Sequence, residues 1–224
     1  MNARKLAFLA LFTVVSLAAY QLKFSTILGV PSQSFTFFQF LGPIGAGIFN
    51  PLWGVISVLF VEILNFIISG KALELITLIR FTPMMFAAFY FGSKSRSRVI
   101  VPLLCMALFV IHPIGRQAWY YSLYWLIPVA AAIWKDKLFL RSLGATFTAH
   151  AVGATAFLYA FNIPAETWAM LVPITAYERF AFAVGISVSY IAVNTILNSI
   201  SSKVDVSCLK IDPRYALFIH KEHT

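Results

Sequence analysis

Residues 51–92 read PLWGVISVLFVEILNFIISGKALELITLIRFTPMMFAAFYFG: two apolar runs joined by a short polar connection around Lys71. Each run carries one charge near its middle, Glu62 in the first and Arg80 in the second, and both stand nine residues from Lys71. As an antiparallel helical hairpin with a rise of ~1.5 Å per residue, the runs bring the two charges to the same depth, about 13 Å from the turn. The expectation is an ion pair inside an apolar medium.

The medium is set by composition. The chain is 60% hydrophobic and only 11% charged, with a mean hydropathy of +0.84, whereas a soluble domain carries about 25% charged residues. The bilayer is therefore read as the solvent. A membrane span needs about 20 apolar residues, and only helices or a closed barrel satisfy the backbone inside lipid. These runs are continuous, not alternating, which predicts helices.

Working outward, Leu6 to Leu22 follows Arg4 and Lys5 and is long enough to cross. It also has the shape of a secretory signal, but in a chain of many spans the first commonly doubles as the insertion signal. Lys23 to Ser34, with Gly29, Pro31, Ser32 and Gln33, reads as a loop or a short amphipathic lid. Further apolar segments are Phe35 to Phe49, Pro51 to Ser69, Leu73 to Gly92, Val99 to His112, Ala118 to Trp134, Leu143 to Phe161 and a last one ending near Ile200. Asn50-Pro51 separates two of them, because proline lacks a donor and restricts the residue before it.

Lysine and arginine set the orientation. Arg4 and Lys5, the group Lys94, Arg96 and Arg98, the group Lys135, Lys137 and Arg141, and the tail with Lys203, Lys210, Arg214 and Lys221 are the basic segments. The positive-inside rule puts all four in the cytoplasm, so an even number of crossings separates them. The fold expected is an all-α polytopic helical bundle with six to eight transmembrane segments and both termini cytoplasmic. Residues 1–200 form one transmembrane domain, and 201–224 a polar basic tail. The net charge of +9 is then explained by topology and anionic lipid, and no nucleic-acid partner is read. Cys105 and Cys208 support neither a disulfide framework nor a metal site.

Polar residues inside the apolar segments are functional candidates, since a charge at the bilayer centre costs about 2.5 to 3.5 kcal/mol on insertion scales. Glu62 is extended by Asn65 and Ser69 along one helix face, and Arg80 by Thr77 and Met84. The pair reads first as a brace for the hairpin and second as a group handling substrate or protons. His150 lies among Thr146, Thr148 and Gly153, on a helix whose Ala145, Ala149 and Gly153 make a small-residue ridge. It reads as a neutral imidazole bonded across a tight helix contact. His112, Arg116 and Gln117 precede Trp119, Tyr120, Tyr121, Tyr124 and Trp125. These rings suit first a headgroup belt, and second a pocket that stacks a planar or anionic solute beside a guanidinium. Glu178-Arg179 lies within the membrane if the last helix begins near Glu166, and at its outer end if it begins near Tyr177.

Leu41 to Leu64, LGPIGAGIFNPLWGVISVLFVEIL, resembles a segment of the S components of energy-coupling factor transporters, the membrane-embedded vitamin-binding subunits. There a glycine-rich helix passes through a tight turn into the next helix and an acidic residue. Here the turn is Asn50-Pro51-Leu52-Trp53-Gly54, with Asn50 where a glycine is usual, and Glu62 falls near the acidic position. The family's Ala-x-x-x-Ala docking motif in the first helix is represented only by Ala3 and Ala7. The resemblance implies a multi-pass plasma-membrane subunit for uptake of a vitamin-like micronutrient, with a pocket open to the outside. It also implies a separate coupling subunit and two ATPases, because the chain has no nucleotide-binding motif of its own. Arg116, Gln117, Trp119 and Tyr120, faced by Gln39 and Glu178, are the substrate-binding candidates, with Glu62 and Arg80 bracing the helices below. No catalytic residue, metal site or cofactor is read. Two other readings stay open: an intramembrane enzyme using His112, His150 and an acid, and a scaffold that holds no ligand.

Overall fold

A computed structural model of the chain describes residues 3–27, 30–70, 72–134, 136–161 and 163–217. Lys71, Gly29, Lys135, Asn162 and Lys221 lie outside the described residues, and with them the turn of the predicted hairpin.

Among the described residues the architecture is all-α apart from one small hairpin. The helices are α1 (Ala3–Gln21), α2 (Phe38–Ile48), α3 (Pro51–Ile68), α4 (Leu75–Gly92), α5 (Ile100–Ile111), α6 (Pro113–Gln117), α7 (Leu126–Ala131), α8 (Leu138–Phe161) and α9 (Ala165–Ile200). Four of them, α1, α3, α4 and α9, are long and apolar enough to cross a membrane. Leucine, isoleucine, valine and phenylalanine side chains stand exposed along them, for example Leu52, Phe60 and Ile67 on α3. The inner face of α3 instead carries Gly54, Ser57, Val58, Val61, Glu62 and Asn65. That face repeats at helical spacing, which is the amphipathic pattern inverted for lipid, with the polar side turned inward.

Close approach decides the packing of α2 against α3. A side chain at Gly54 would overlap the Ala46 backbone, so glycine is what lets α3 lie against α2 immediately after the Asn50-Pro51 turn. Asn50 caps α3, its Oδ1 accepting from the Trp53 amide at 3.0 Å. The α4–α8 packing is the most extensive in the molecule. Ala145 and Ala149 of the small-residue ridge are buried, and Gly153 faces Pro83 of α4.

Two expectations are corrected. Residues 23–34, read as a loop or lid, contain strand β1 (Lys23–Ile27), which pairs antiparallel with β2 (Val30–Thr36) in the register Ser25↔Phe35, Thr26↔Ser34 and Ile27↔Val30. Ala118 to Trp134 is not one helix: α6 gives way to a 3-10 turn over Trp119–Trp125, and α7 is only six residues long. The aromatic run is split by burial, with Tyr121 and Trp125 inside and Trp119 and Tyr120 outside. Pro128 lacks the amide that would help propagate a longer helix.

The basic segments converge. Arg4 of α1 pairs with Asp205 of the tail. Arg98 donates to the Ala132 carbonyl at 3.1 Å, and the Tyr215 hydroxyl donates to the Asp136 carbonyl at 2.7 Å. One end of the bundle therefore gathers all four. The described tail folds back onto it: Val206 and Leu209 are buried, and the Lys210 amide donates to Ile48 O at 2.7 Å.

Candidate functional site

At the opposite end of the bundle lies a cavity of about 200 Å³. It is built from half-helices: the last part of α3 supplies Glu62, the first part of α4 Arg80, Pro83 and Met84, the last part of α8 Ala149 through Phe157, and the first part of α9 Trp168 through Arg179. Tyr20 from the end of α1, Phe35 from β2 and Gln39 from the start of α2 complete it, with Tyr121 and Ile163. Nearly all the wall is hydrocarbon or ring, with a few charged and polar groups set into it, the usual composition of a small-molecule site.

Glu62 and Arg80 both face this cavity and a smaller hollow of about 30 Å³ behind it. Packing of α3 on α4 thus brings both to the same cavity. Their contacts are different from the direct pair expected. The Tyr20 hydroxyl donates to Glu62 Oε2 at 2.7 Å, and Arg80 Nη2 donates to the Ser34 carbonyl of β2 at 3.3 Å. No Glu62–Arg80 ion pair occurs among the described residues. Tyr20, at the end of α1, is the intervening group that sequence spacing could not place.

Glu178 and Arg179 are resolved by the length of α9. The helix starts at Ala165 and runs through Pro173 to Ile200, so the pair lies well inside it. Arg179 Nη2 meets Glu178 Oε2 at 3.3 Å, and its guanidinium lies 4.8 Å from the Phe35 ring and 4.3 Å from the Phe182 ring. Cation–π contact of this kind compensates a buried guanidinium that has only one carboxylate beside it. Ser25 Oγ of β1 donates to Glu178 Oε1 at 3.4 Å. The hairpin is therefore tied across the cavity by Ser25 to α9, by the Ser34 carbonyl to α4, and by Phe35 to Arg179 and Phe182.

His150 anchors a hydrogen-bond chain. Trp125 Nε1, a donor only, gives its proton to His150 Nδ1 at 3.2 Å, so Nδ1 must be unprotonated and the ring neutral. Nε2–H then donates to the Tyr121 hydroxyl at 2.9 Å, which passes its own proton to Thr175 Oγ1 at 2.8 Å. The 3-10 segment, α8 and α9 are joined by this chain. The histidine bonds to Tyr121 and Trp125, and it also lines the cavity.

Of the six substrate-binding candidates, Gln39 and Glu178 line the cavity. Arg116, Gln117, Trp119 and Tyr120 do not; they stand exposed around α6 and the 3-10 turn. Their neighbour Tyr121, one residue on, points inward and does line it. Sequence reasoning missed Tyr20, Phe157, Trp168 and Arg179 as wall residues. The adjacent charges Glu178-Arg179 inside an apolar run were the available signal for the last of these.

Among the described residues no group of three or more His, Cys, Asp or Glu is arranged to hold a metal ion. His112 packs its ring against Tyr159 at 4.8 Å, away from His150. No protein-family model, no curated protein and no solved structure matches this chain.

Proposed function

We propose that this chain is an integral plasma-membrane subunit that binds a small solute in the cavity and serves its uptake. The observation that carries the reading is the cavity itself. Four formally charged side chains and a satisfied histidine are set into an apolar wall, at the end of the bundle remote from the basic segments. By the positive-inside rule the basic end is cytoplasmic, which turns the cavity outward and puts both termini inside. The short elements then complete eight passes: α1, α2, α3, α4, α5, the α6–α7 segment, α8 and α9.

The likeness of Leu41 to Leu64 to S components gives this binding subunit its place in a machine. On that reading a coupling subunit and two ATPases supply the energy, and the solute is a vitamin-like micronutrient. On that reading the hairpin, held beside the cavity by Ser25 and the Ser34 carbonyl, would have to give way for entry.

The test is the solute. Protein purified in mild detergent is denatured, and the released small molecules are identified by mass spectrometry against a Glu178→Gln, Arg179→Gln control. One compound at near-stoichiometric amount in the wild type and depleted in the control is expected. No such compound, together with no thermal stabilisation by the growth-medium micronutrients, sinks the uptake reading in favour of a ligand-free scaffold.

A further inference from the structure

We infer that the solute is a monocarboxylate with an aromatic or apolar body, anchored through its carboxylate on Arg80; this rests on the solute-binding reading above. Two guanidinium groups face the cavity, and each has a buried nitrogen with no hydrogen-bond partner: Arg80 Nη1 and Arg179 Nε. Buried donors are satisfied in the great majority of cases, and those of a charged group with most stringency. Unfilled donors that line a cavity specify an acceptor as their occupant.

Arg80 is the better anchor of the two. Arg179 already has the Glu178 carboxylate at 3.3 Å and two rings over its plane. Arg80 Nη2 is held by the neutral Ser34 carbonyl, with the Tyr20 hydroxyl and, among the described residues, no paired carboxylate beside the guanidinium. A planar fork with free N–H groups matches a carboxylate in geometry.

Charge selects the class further. Glu62, Arg80, Glu178 and Arg179 sum to zero formal charge in the cavity, so a monoanion adds one charge where a phosphate would add nearly two in a poorly solvated site. The rest of the wall has nothing ionic to offer. Pro83, Met84, Phe157, Trp168 and Leu171 enclose the remaining volume, which suits a ring or short apolar chain. Arg80 also holds the Ser34 carbonyl of the hairpin, so the same guanidinium would meet both the ligand and β2.

The experiment uses matched probes: a panel of ring-bearing monocarboxylates, each with its primary amide, added to the full-length protein in detergent after dialysis. Binding is read by thermal shift and titration calorimetry. At least one acid is expected to bind more tightly than its amide. Arg80→Gln should weaken the acid about 10- to 100-fold, the loss of a hydrogen bond to a charged group, with the amide unaffected. If Arg80→Gln fails to fold, Arg80→Lys replaces it; it keeps the charge but not the fork and should still lower the acid-to-amide ratio. Equal binding of acid and amide, an acid indifferent to Arg80, or no response from any panel member overturns the carboxylate assignment. A co-purified solute that proves uncharged or cationic also overturns it, and leaves the uptake reading standing.

Discussion

Tyr20 changes what Glu62 requires of its surroundings. A carboxylate that accepts a hydroxyl proton at 2.7 Å has part of its desolvation offset locally, whatever Arg80 does. Hydrogen bonds to charged groups are worth about 1.5 to 3 kcal/mol when buried. Tyr20→Phe should therefore destabilise the protein in detergent by that order, and a double-mutant cycle should give a larger coupling for Tyr20–Glu62 than for Glu62–Arg80. Thermal unfolding of the four variants in each cycle is the measurement. A Glu62→Arg, Arg80→Glu swap that recovers wild-type stability while Tyr20→Phe is neutral would restore the simple ion pair as the organising contact. At this scale the sequence revealed which residues are anomalous, because a charge in an apolar run stands out. It did not reveal their partners: Tyr20 is 42 positions from Glu62, and nothing local in the chain points from one to the other.

Single elements carry two further expectations. Asn50 adopts φ 153° and ψ 170°, a region that is essentially glycine-only and costs roughly 1 to 3 kcal/mol for other residues. It also caps α3 through the Trp53 amide, and glycine replaces an Asn cap at a loss of only a few tenths of a kcal/mol. Asn50→Gly is therefore expected to stabilise by roughly 0.5 to 1 kcal/mol after its unfolded-state entropy is counted. Asn50→Ala keeps the strain and loses the cap, so it should destabilise by about 1 kcal/mol. Melting temperatures of opposite sign check this; like signs refute it. The tail offers a pH test outside the membrane segments. The Arg214 side chain, bonded to the Asp212 carboxylate at 2.8 and 3.0 Å, holds that carboxyl below its usual range, and the Asp212 amide ties the same turn to Asn194 on α9. A depressed carboxyl contributes stability that is present above the ordinary Asp value of about 3.9 and is lost as pH falls through the lower folded value. Protease protection of residues 201–217 should fall below about pH 4, and Asp212→Asn should flatten that dependence. Element type was legible wherever apolar residues ran on without interruption, as in α3, α4 and α9. The β1–β2 hairpin was not, because its seven-residue strand VPSQSFT lacks the apolar alternation that marks a half-buried strand.

The whole molecule was legible in its sidedness more than in its site. Four basic segments separated by apolar runs imply a common end, and contacts as remote in sequence as Arg4–Asp205 gather them there. The cavity was not legible, because its wall takes a few residues from one half of each of several helices and has no continuous motif. Arg116, Gln117, Trp119 and Tyr120 drew the sequence reading by their density of rings and charge, and they lie on the outside. The bundle also has helices of very unequal length, and that inequality reaches beyond the protein. At ~1.5 Å per residue, α9 with 36 residues extends about 54 Å and α5 with 12 residues only about 18 Å, against a hydrocarbon core of about 30 Å. Leu103, Leu104, Leu108 and Ile111 of α5 are exposed, so lipid tails would meet a short helix directly on that flank. If α5 crosses a bilayer, the lipid beside it must thin, whereas α9 can tilt or extend beyond the hydrocarbon, so acyl-chain length would act on this protein through α5. Reconstitution into bilayers of shorter-chain phosphatidylcholine should raise its melting temperature, longer chains should lower it, and a response flat across the series would show that α5 is shielded from the lipid by something other than this chain.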